Sequence, residues 1–309
     1  MHDKVAPMDK RLFNQGLQNK KLFSKKILTQ IVWGFPLFIY AVDASAWGLF
    51  THLYFAQYIA LATPILDPNI QRAIKKFPQL VMAGACLPDL ALMSKHFKST
   101  HQWEQAEKMM LAAQTDEELA LSIGYMSHLF VDIMAHNHFV PTFEAKWMNE
   151  TIITHVTSEW AMDAYLTSKV QARPFSLLRK HQELITPLLC KCFNTTHAQA
   201  KRAIKSLAWA DKALRFSFLS SICLHWIKRR DDEFVLKLDY YLQQTHEVLY
   251  QFEPVLKGQT PSLFAELTHL SATEMTVWRE KCLIEARLRL TTVVQVYQDY
   301  QQQLITPHA

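Results

Sequence analysis

Only six of the 309 residues are glycine, against a usual share of about 7%. Tight turns and phosphate-binding loops both depend on glycine, so a dinucleotide-binding or P-loop enzyme is excluded in practice. A hairpin-rich β-sandwich is disfavoured for the same reason. Half of the residues are hydrophobic, too many for intrinsic disorder and enough for a sizeable core. Long Leu/Ala/Met/Lys/Glu stretches, punctuated by twelve prolines, point to an all-α protein with ordered loops.

The helical pattern is legible segment by segment. Residues 52–63 predict a first helix closed by Pro64, 69–84 a second closed by Gly84, and 101–113 a third. Residues 117–135 predict a long, apolar, buried helix with Asp116 near its N-terminus. Another is expected over 151–171, before Pro174, and four more over 177–192, 196–229, 231–252 and 272–303. Pro254, Gly258 and Pro261 mark a loop. No internal repeat interrupts this pattern, so a single multi-helix domain is expected.

Residues 1–46 read as a signal peptide. Lys25-Lys26 precedes residues 27–42, an apolar run whose only polar members are Thr29 and Gln30. That length is short for a membrane span and suits a signal-peptide core, and Pro36 would break a spanning helix. Asp43-Ala44-Ser45-Ala46 has the small-residue form that signal peptidase accepts. Cleavage after Ala46 is expected, leaving a catalytic domain over 47–309 that is secreted or periplasmic. An uncleaved helix or membrane anchor is the alternative.

Seven Lys/Arg lie within residues 1–26 against two Asp, and Asp43 follows, so the formal charge of +5 falls to +1 from Trp47 onward. A global basic field for nucleic acid is therefore not expected. Five cysteines remain (Cys86, Cys190, Cys192, Cys223, Cys282). In an oxidising compartment the odd number leaves at least one thiol free, and a disulfide from the Cys190/Cys192 pair to Cys223 or Cys282 is left open. Cys190-Lys191-Cys192 lacks the second pair that a structural zinc site needs.

Six of the 14 histidines fall between residues 96 and 155. His128 and Asp132 are four apart and share one helix face. Their neighbours Leu129, Phe130, Val131, Ile133 and Met134 are apolar, so a charge on Asp132 needs a strong partner, and a cation is the natural one. His155 and Glu159 form a second pair at the same spacing, the pattern with which helix bundles build internal metal clusters. His138 follows Asp132 by six residues, beyond the expected helix end; His136 beside it reads as a loop residue or as support behind the ligands. Asp89 lies in ACLPDL, with His96 and His101 after it, and His52 opens the first helix. A lone histidine on an apolar helix is more often a hydrogen-bonded core residue, so the weight rests on the ordered set.

That set, Trp47, His52, Asp89, His101, His128, Asp132, His138, His155 and Glu159, resembles the zinc-dependent phospholipase C and nuclease superfamily of all-helical phosphodiesterases. The resemblance runs from Trp47 to about residue 170. The family's N-terminal Trp falls on Trp47 and its next histidine on His52, in WGLFTH. The loop aspartate falls on Asp89 and the following histidine on His101 by spacing, with His96 as rival; the Asp89–His101 interval is shorter than that of the family. The HxxxDxxxxxH element falls on His128, Asp132 and His138, and the closing HxxxE/D element on His155 and Glu159.

The resemblance implies a hydrolase holding three zinc ions. Asp132 would bridge two of them, one completed by Asp89, His101 and His128, the other by His52 and the amine and carbonyl of Trp47. His138, His155 and Glu159 would hold the third. A metal-activated water would attack phosphorus, with the catalytic residue Asp89 orienting or deprotonating it. The implied substrate is a glycerophospholipid at a membrane surface, cleaved to diacylglycerol and a phosphorylated head group. A single-strand nuclease or 3′-nucleotidase on the same scaffold is the alternative; a non-catalytic membrane-anchored protein with a structural His/Asp set is the alternative of another class. The Trp-Gly-x3-His spacing resembles the nuclease branch, whereas Glu159 and the near-neutral mature charge favour the phospholipase branch. No specific nucleic acid and no obligate protein partner are expected. Phe50, Tyr54 and Phe139 are candidates for a lipid-binding lining, although aromatics at such spacings equally suit a packed core.

Overall fold

The path of the chain follows its prolines and caps. In the computed structural model, which describes residues 48–147, 152–259, 261, 267 and 269–305, helix α1 (Leu49–Ala62) is followed by α2 (Pro68–Lys76) and α3 (Pro78–Gly84). Asp67 caps α2 by accepting from the Asn69 and Ile70 amides, and prolines begin both α2 and α3. The helix expected over 69–84 is therefore two, broken at Phe77 ahead of Pro78. Short 3₁₀ turns over Pro88–Leu92 and Lys95–Phe97 lead to α4 (Trp103–Ala112).

Helix α5 (Asp116–Met134) is the axis of the fold. Thr115 caps it by accepting from the Glu118 amide, and Asp116, Glu117 and Glu118 crowd its first turn, where a helix favours negative charge. Every residue from Ala120 to Met134 is buried. α5 packs against α3 at a separation that only glycine permits. A Cβ on Gly124 would lie 1.9 Å from the Val81 carbonyl oxygen, and one on Gly84 would lie 2.1 Å from that of Leu121.

The chain does not leave the helix at Ala135. It passes through a π turn, Ala135–Phe139, into α6 (Val140–Trp147). Pro141 has no N–H to return to Asn137, and the Asn137 carbonyl instead accepts from the Trp278 indole N–H at 2.5 Å and the Cys282 thiol at 3.4 Å. The π turn thus absorbs a proline that would otherwise stop the helix.

The remainder is α7 (Ile152–Leu166), α8 (Pro174–Lys180), α9 (Gln182–Cys192), α10 (His197–Phe216), α11 (Leu219–Arg230), α12 (Phe234–Leu249), α13 (Phe252–Leu256) and α14 (Ala272–Ile305). The helix expected over 196–229 is two, divided at Phe218, whose φ is 58°. α11 packs on α7, α10 on α8, and α14 on α6. These elements belong to one compact unit, residues 44–309. The fold is all-α, with no strand among the described residues. All five cysteines are free thiols, so neither disulfide left open by the sequence forms.

Candidate metal centre

α5 supplies the centre of the site. His128 and Asp132, one turn apart, are both fully buried. The two oxygens of Asp132 point to different neighbours. Oδ1 lies 3.3 Å from His52 Nε2 on α1, and Oδ2 lies 3.2 Å from His128 Nε2 and 4.0 Å from His101 Nε2. Asp89, in the 3₁₀ turn after α3, completes the other side, with Oδ1 3.9 Å from His128 Nε2 and 4.0 Å from His101 Nε2. Two triads result, His52/His128/Asp132 and Asp89/His101/His128, each with its candidate ligand atoms within 4.8 Å of one another. The His52 and His128 rings stack at 3.5 Å, and His101 meets His128 edge-on at 5.3 Å.

Hydrogen bonds behind these rings fix which nitrogen faces inward. His128 Nδ1 lies 2.8 Å from the Ala85 carbonyl, which can only accept, so Nδ1 carries the proton and Nε2 offers a lone pair. The close approach of α3 at Gly84 and Gly124 brings that carbonyl within reach. Thr100 Oγ1 donates to the Pro88 carbonyl and lies 3.4 Å from His101 Nδ1. With its own proton spent, the hydroxyl accepts from His101 Nδ1–H, which again leaves Nε2 to the site. Tyr125 of α5 holds Thr100 in turn, donating to its carbonyl at 2.5 Å.

The electrostatics suit a divalent cation. Burial raises the Asp89 carboxyl to about 7, against the downward pull of His128. Burial, then His128, lowers His101 to about 4, and burial lowers His128 as well. The imidazoles are therefore neutral, the form that binds metal. Asp89 Oδ1, His101 Nε2 and His128 Nε2 are buried without a hydrogen-bond partner, a cost of about 1–3 kcal/mol each. A divalent cation bound by imidazole and carboxylate would meet all three, so the donor set fits zinc.

A third group lies on α7. His155 Nε2 is 2.6 Å from Glu159 Oε1, and burial, then the charges of Asp132, Asp163 and Asp89, push the Glu159 carboxyl well up. The ring that joins this pair is His136, 5.4 Å from His155 and edge-on to it. Burial, then His155, His101 and His128, hold His136 well below its ordinary value. His138, the expected ligand, lies elsewhere, its ring 5.6 Å from Trp278 of α14 and in the field of Glu285 and Lys281. The physical reason is the π turn: with the helix continuing, His136 sits two turns after His128 on the ligand face, and His138 is carried around to α14.

The other sequence candidates separate cleanly. His101 joins Asp89, while its rival His96 lies 3.0 Å from Gln199. Trp47 is outside the described residues. Phe50 and Phe139 do not form a lipid lining. Phe50 is buried beneath the Arg215 guanidinium at 4.4 Å, and Phe139 is buried against Phe143 and Tyr241. Both face the core because their positions on α1 and in the π turn point away from the ligands. Tyr54 is half-buried and packs on Phe55 and His246. Ala85, Thr100 and Tyr125 escaped the sequence reading, which puts His136 in a loop or behind the ligands although its spacing of eight from His128 is a signal.

The sequence profile of the zinc dependent phospholipase C family matches residues 51–218, a span that holds every ligand candidate described above except Trp47. No curated protein and no solved structure matches the chain significantly. With an all-α fold, buried His/Asp triads and a profile match over more than half its length, the chain belongs to the zinc-dependent phospholipase C family.

Proposed function

We propose that this protein is an exported, zinc-dependent phospholipase C that hydrolyses the glycerol-side phosphodiester of glycerophospholipids. The observation that carries the reading is Asp132, whose two oxygens face two histidine groups that share His128. Asp89, His101, His128 and Asp132 would hold one zinc, His52 and Asp132 a second together with Trp47 at a processed N-terminus, and His136, His155 and Glu159 a third. Zinc in such a cluster binds phosphate oxygens and lowers the pKa of water toward about 7. Around it, Ala85 and Thr100 orient the His128 and His101 rings, and the buried walls of α5 exclude bulk water. Asp89 turns Oδ1 to the histidines and is the carboxylate assigned to orient the attacking water and accept its proton. The water oxygen bonds to phosphorus, the bond from phosphorus to the glycerol oxygen breaks, and diacylglycerol leaves with a proton. The near-neutral mature charge supports a lipid rather than a polynucleotide substrate.

The test is hydrolysis of phospholipid micelles and of single-stranded DNA by zinc-loaded protein that starts at Trp47. Release of diacylglycerol, abolished by chelation and restored by zinc, is expected. DNA cleavage without diacylglycerol release would move the protein to the nuclease branch, and inactivity on both with zinc bound would leave a structural metal set.

A further inference from the structure

The outward face of α10 carries cations and aromatics in alternation. Arg202, Lys205, Trp209, Lys212 and Phe216 are exposed and spaced three and four apart, so they form one stripe along the helix. The opposite face, from Ala200 to Asp211, packs into the core. Among the described residues no carboxylate pairs with Arg202, Lys205 or Lys212; the nearest acid on the helix, Asp211, is buried and paired with Arg215. At the turn and along α11, Phe218, Ile222 and Trp226 are exposed at steps of four.

The turn itself is costly. Phe218 is the one described non-glycine residue with positive φ, a region that disfavours bulky side chains. Phe218 and Phe216 are 66% and 83% exposed, so the strained backbone holds two hydrocarbon side chains mostly in water and returns little burial to the fold.

We propose that this α10–α11 face docks onto the surface of an anionic phospholipid bilayer. Cations on a helix face meet the negative surface potential, and exposed Phe, Ile and Trp enter the boundary between head groups and acyl chains. Single-stranded nucleic acid offers the same charge but needs open ring faces for stacking. Those of Trp209 are engaged: Lys212 Nζ lies 4.8 Å from its centroid, and Phe175 of α8 meets it edge-on at 5.1 Å. Ile222 has no stacking face at all. The docking stands on this geometry; its role in bringing the metal centre to substrate rests on the phospholipase reading.

The experiment uses the zinc-loaded full-length mature chain. Co-sedimentation is measured with vesicles of pure phosphatidylcholine and with vesicles containing phosphatidylglycerol. Hydrolysis of a monomeric short-chain phosphatidylcholine is followed in parallel. Wild type should bind the anionic vesicles preferentially, and salt should weaken binding. Each cation contributes about fivefold, so Arg202→Gln/Lys205→Gln/Lys212→Gln should lose about a hundredfold. Phe216→Ser and Phe218→Gly should weaken binding to both vesicle types, and Phe218→Gly should do so without loss of thermal stability, because glycine relieves the left-handed turn. Hydrolysis of the monomeric lipid should be unchanged in every variant. Vesicle binding absent in wild type, retained in these variants, or weaker than binding to a single-stranded oligonucleotide overturns the proposal. Wild type that binds vesicles but hydrolyses no phospholipid supports the docking face and refutes the phospholipase reading instead.

Discussion

Asp163 Oδ1 accepts both the backbone N–H and the hydroxyl of Thr51, at 2.9 and 2.8 Å. Its other oxygen accepts from the Phe50 amide at 3.3 Å and from Arg215 Nη2. α1 has no cap from its own N-terminal residues; a fully buried carboxylate from α7 supplies one. That carboxylate sits one turn after Glu159 and two after His155. The helix that carries His52 is thus tethered to the helix that carries His155 and Glu159, with Arg215 of α10 completing the tie.

Arg215→Ala should be among the most destabilising single changes outside the ligands. It would leave Asp163 and Asp211 buried without their cation, and burial already raises Asp211 to about 6. Loss of one partner of a buried pair costs about 3–5 kcal/mol. Urea unfolding of the zinc-free protein measures it directly; a shift below about 1 kcal/mol would mean that solvent reaches this cluster.

His136 and His138 make opposite forecasts for alanine substitution. His136→Ala should lower bound zinc by about one ion and reduce turnover by roughly a hundredfold or more. His138→Ala should keep its metal and most of its activity, since it removes only a contact with Trp278. Metal analysis by mass spectrometry decides between them, and zinc loss confined to His138→Ala would restore the ligand role to that residue.

Asp132→Asn should release metal as well as slow the reaction. The substitution replaces one of two oxygens, each facing a different histidine group, with an NH₂ that cannot coordinate a cation. Zinc content should fall by at least one ion, with activity down roughly a thousandfold. Retention of full zinc occupancy would show that the carboxylate does not connect the two groups.

Asp89 gives a stability test whose sign depends on metal. Its folded value of about 7 stands above an unfolded value of about 3.9. The stability due to the protonated form is therefore full below about pH 3.9 and is lost as pH rises through about 7. Above that, the metal-free protein bears the cost of an ionised, buried carboxylate, on the order of 4 kcal/mol at most. In chelator at pH 8, Asp89→Asn should unfold at higher urea than wild type, with the difference closing toward about pH 4. With zinc present the order should reverse, because the wild type binds ions that the amide holds poorly. An Asn variant less stable than wild type in chelator at pH 8 would sink this account.

Much of the candidate site was legible because its residues obey local rules. His128 with Asp132 and His155 with Glu159 are helix-face pairs, and Asp89 and His101 follow in chain order. His138 lies beside Trp278 because the helix does not end at Ala135, the end that HNH followed by Pro141 suggests. What keeps the helix going is the acceptance of Trp278 and Cys282 by the Asn137 carbonyl, partners some 140 residues away that no local pattern could supply. The same limit hid the Ala85 carbonyl, which lies opposite His128 only because Gly84 and Gly124 allow two helices to touch. Phe50 and Phe139 failed as lining residues because apolar character does not say whether a ring faces a cleft or the core.

The π turn also makes the long helix tolerant of a change in length. Removing one residue from an α-helix rotates everything beyond the cut by about 100°, which is ordinarily fatal to whatever both ends hold. Here the surplus residue sits between two clients. Upstream, α5 carries His128 and Asp132. Downstream, α6 anchors the C-terminal helix through Glu144 and Arg279, and α12 through Thr142 and Tyr241. A one-codon deletion within 135–139 would let the segment relax to ordinary α geometry, swinging Thr142 and Glu144 off their partners while His128 and Asp132 keep their phase. The His128/Asp132 group and the C-terminal anchorage share one helix, yet this five-residue joint lets them vary separately; of the proposed ligands on that helix, only His136, inside the joint, moves with it.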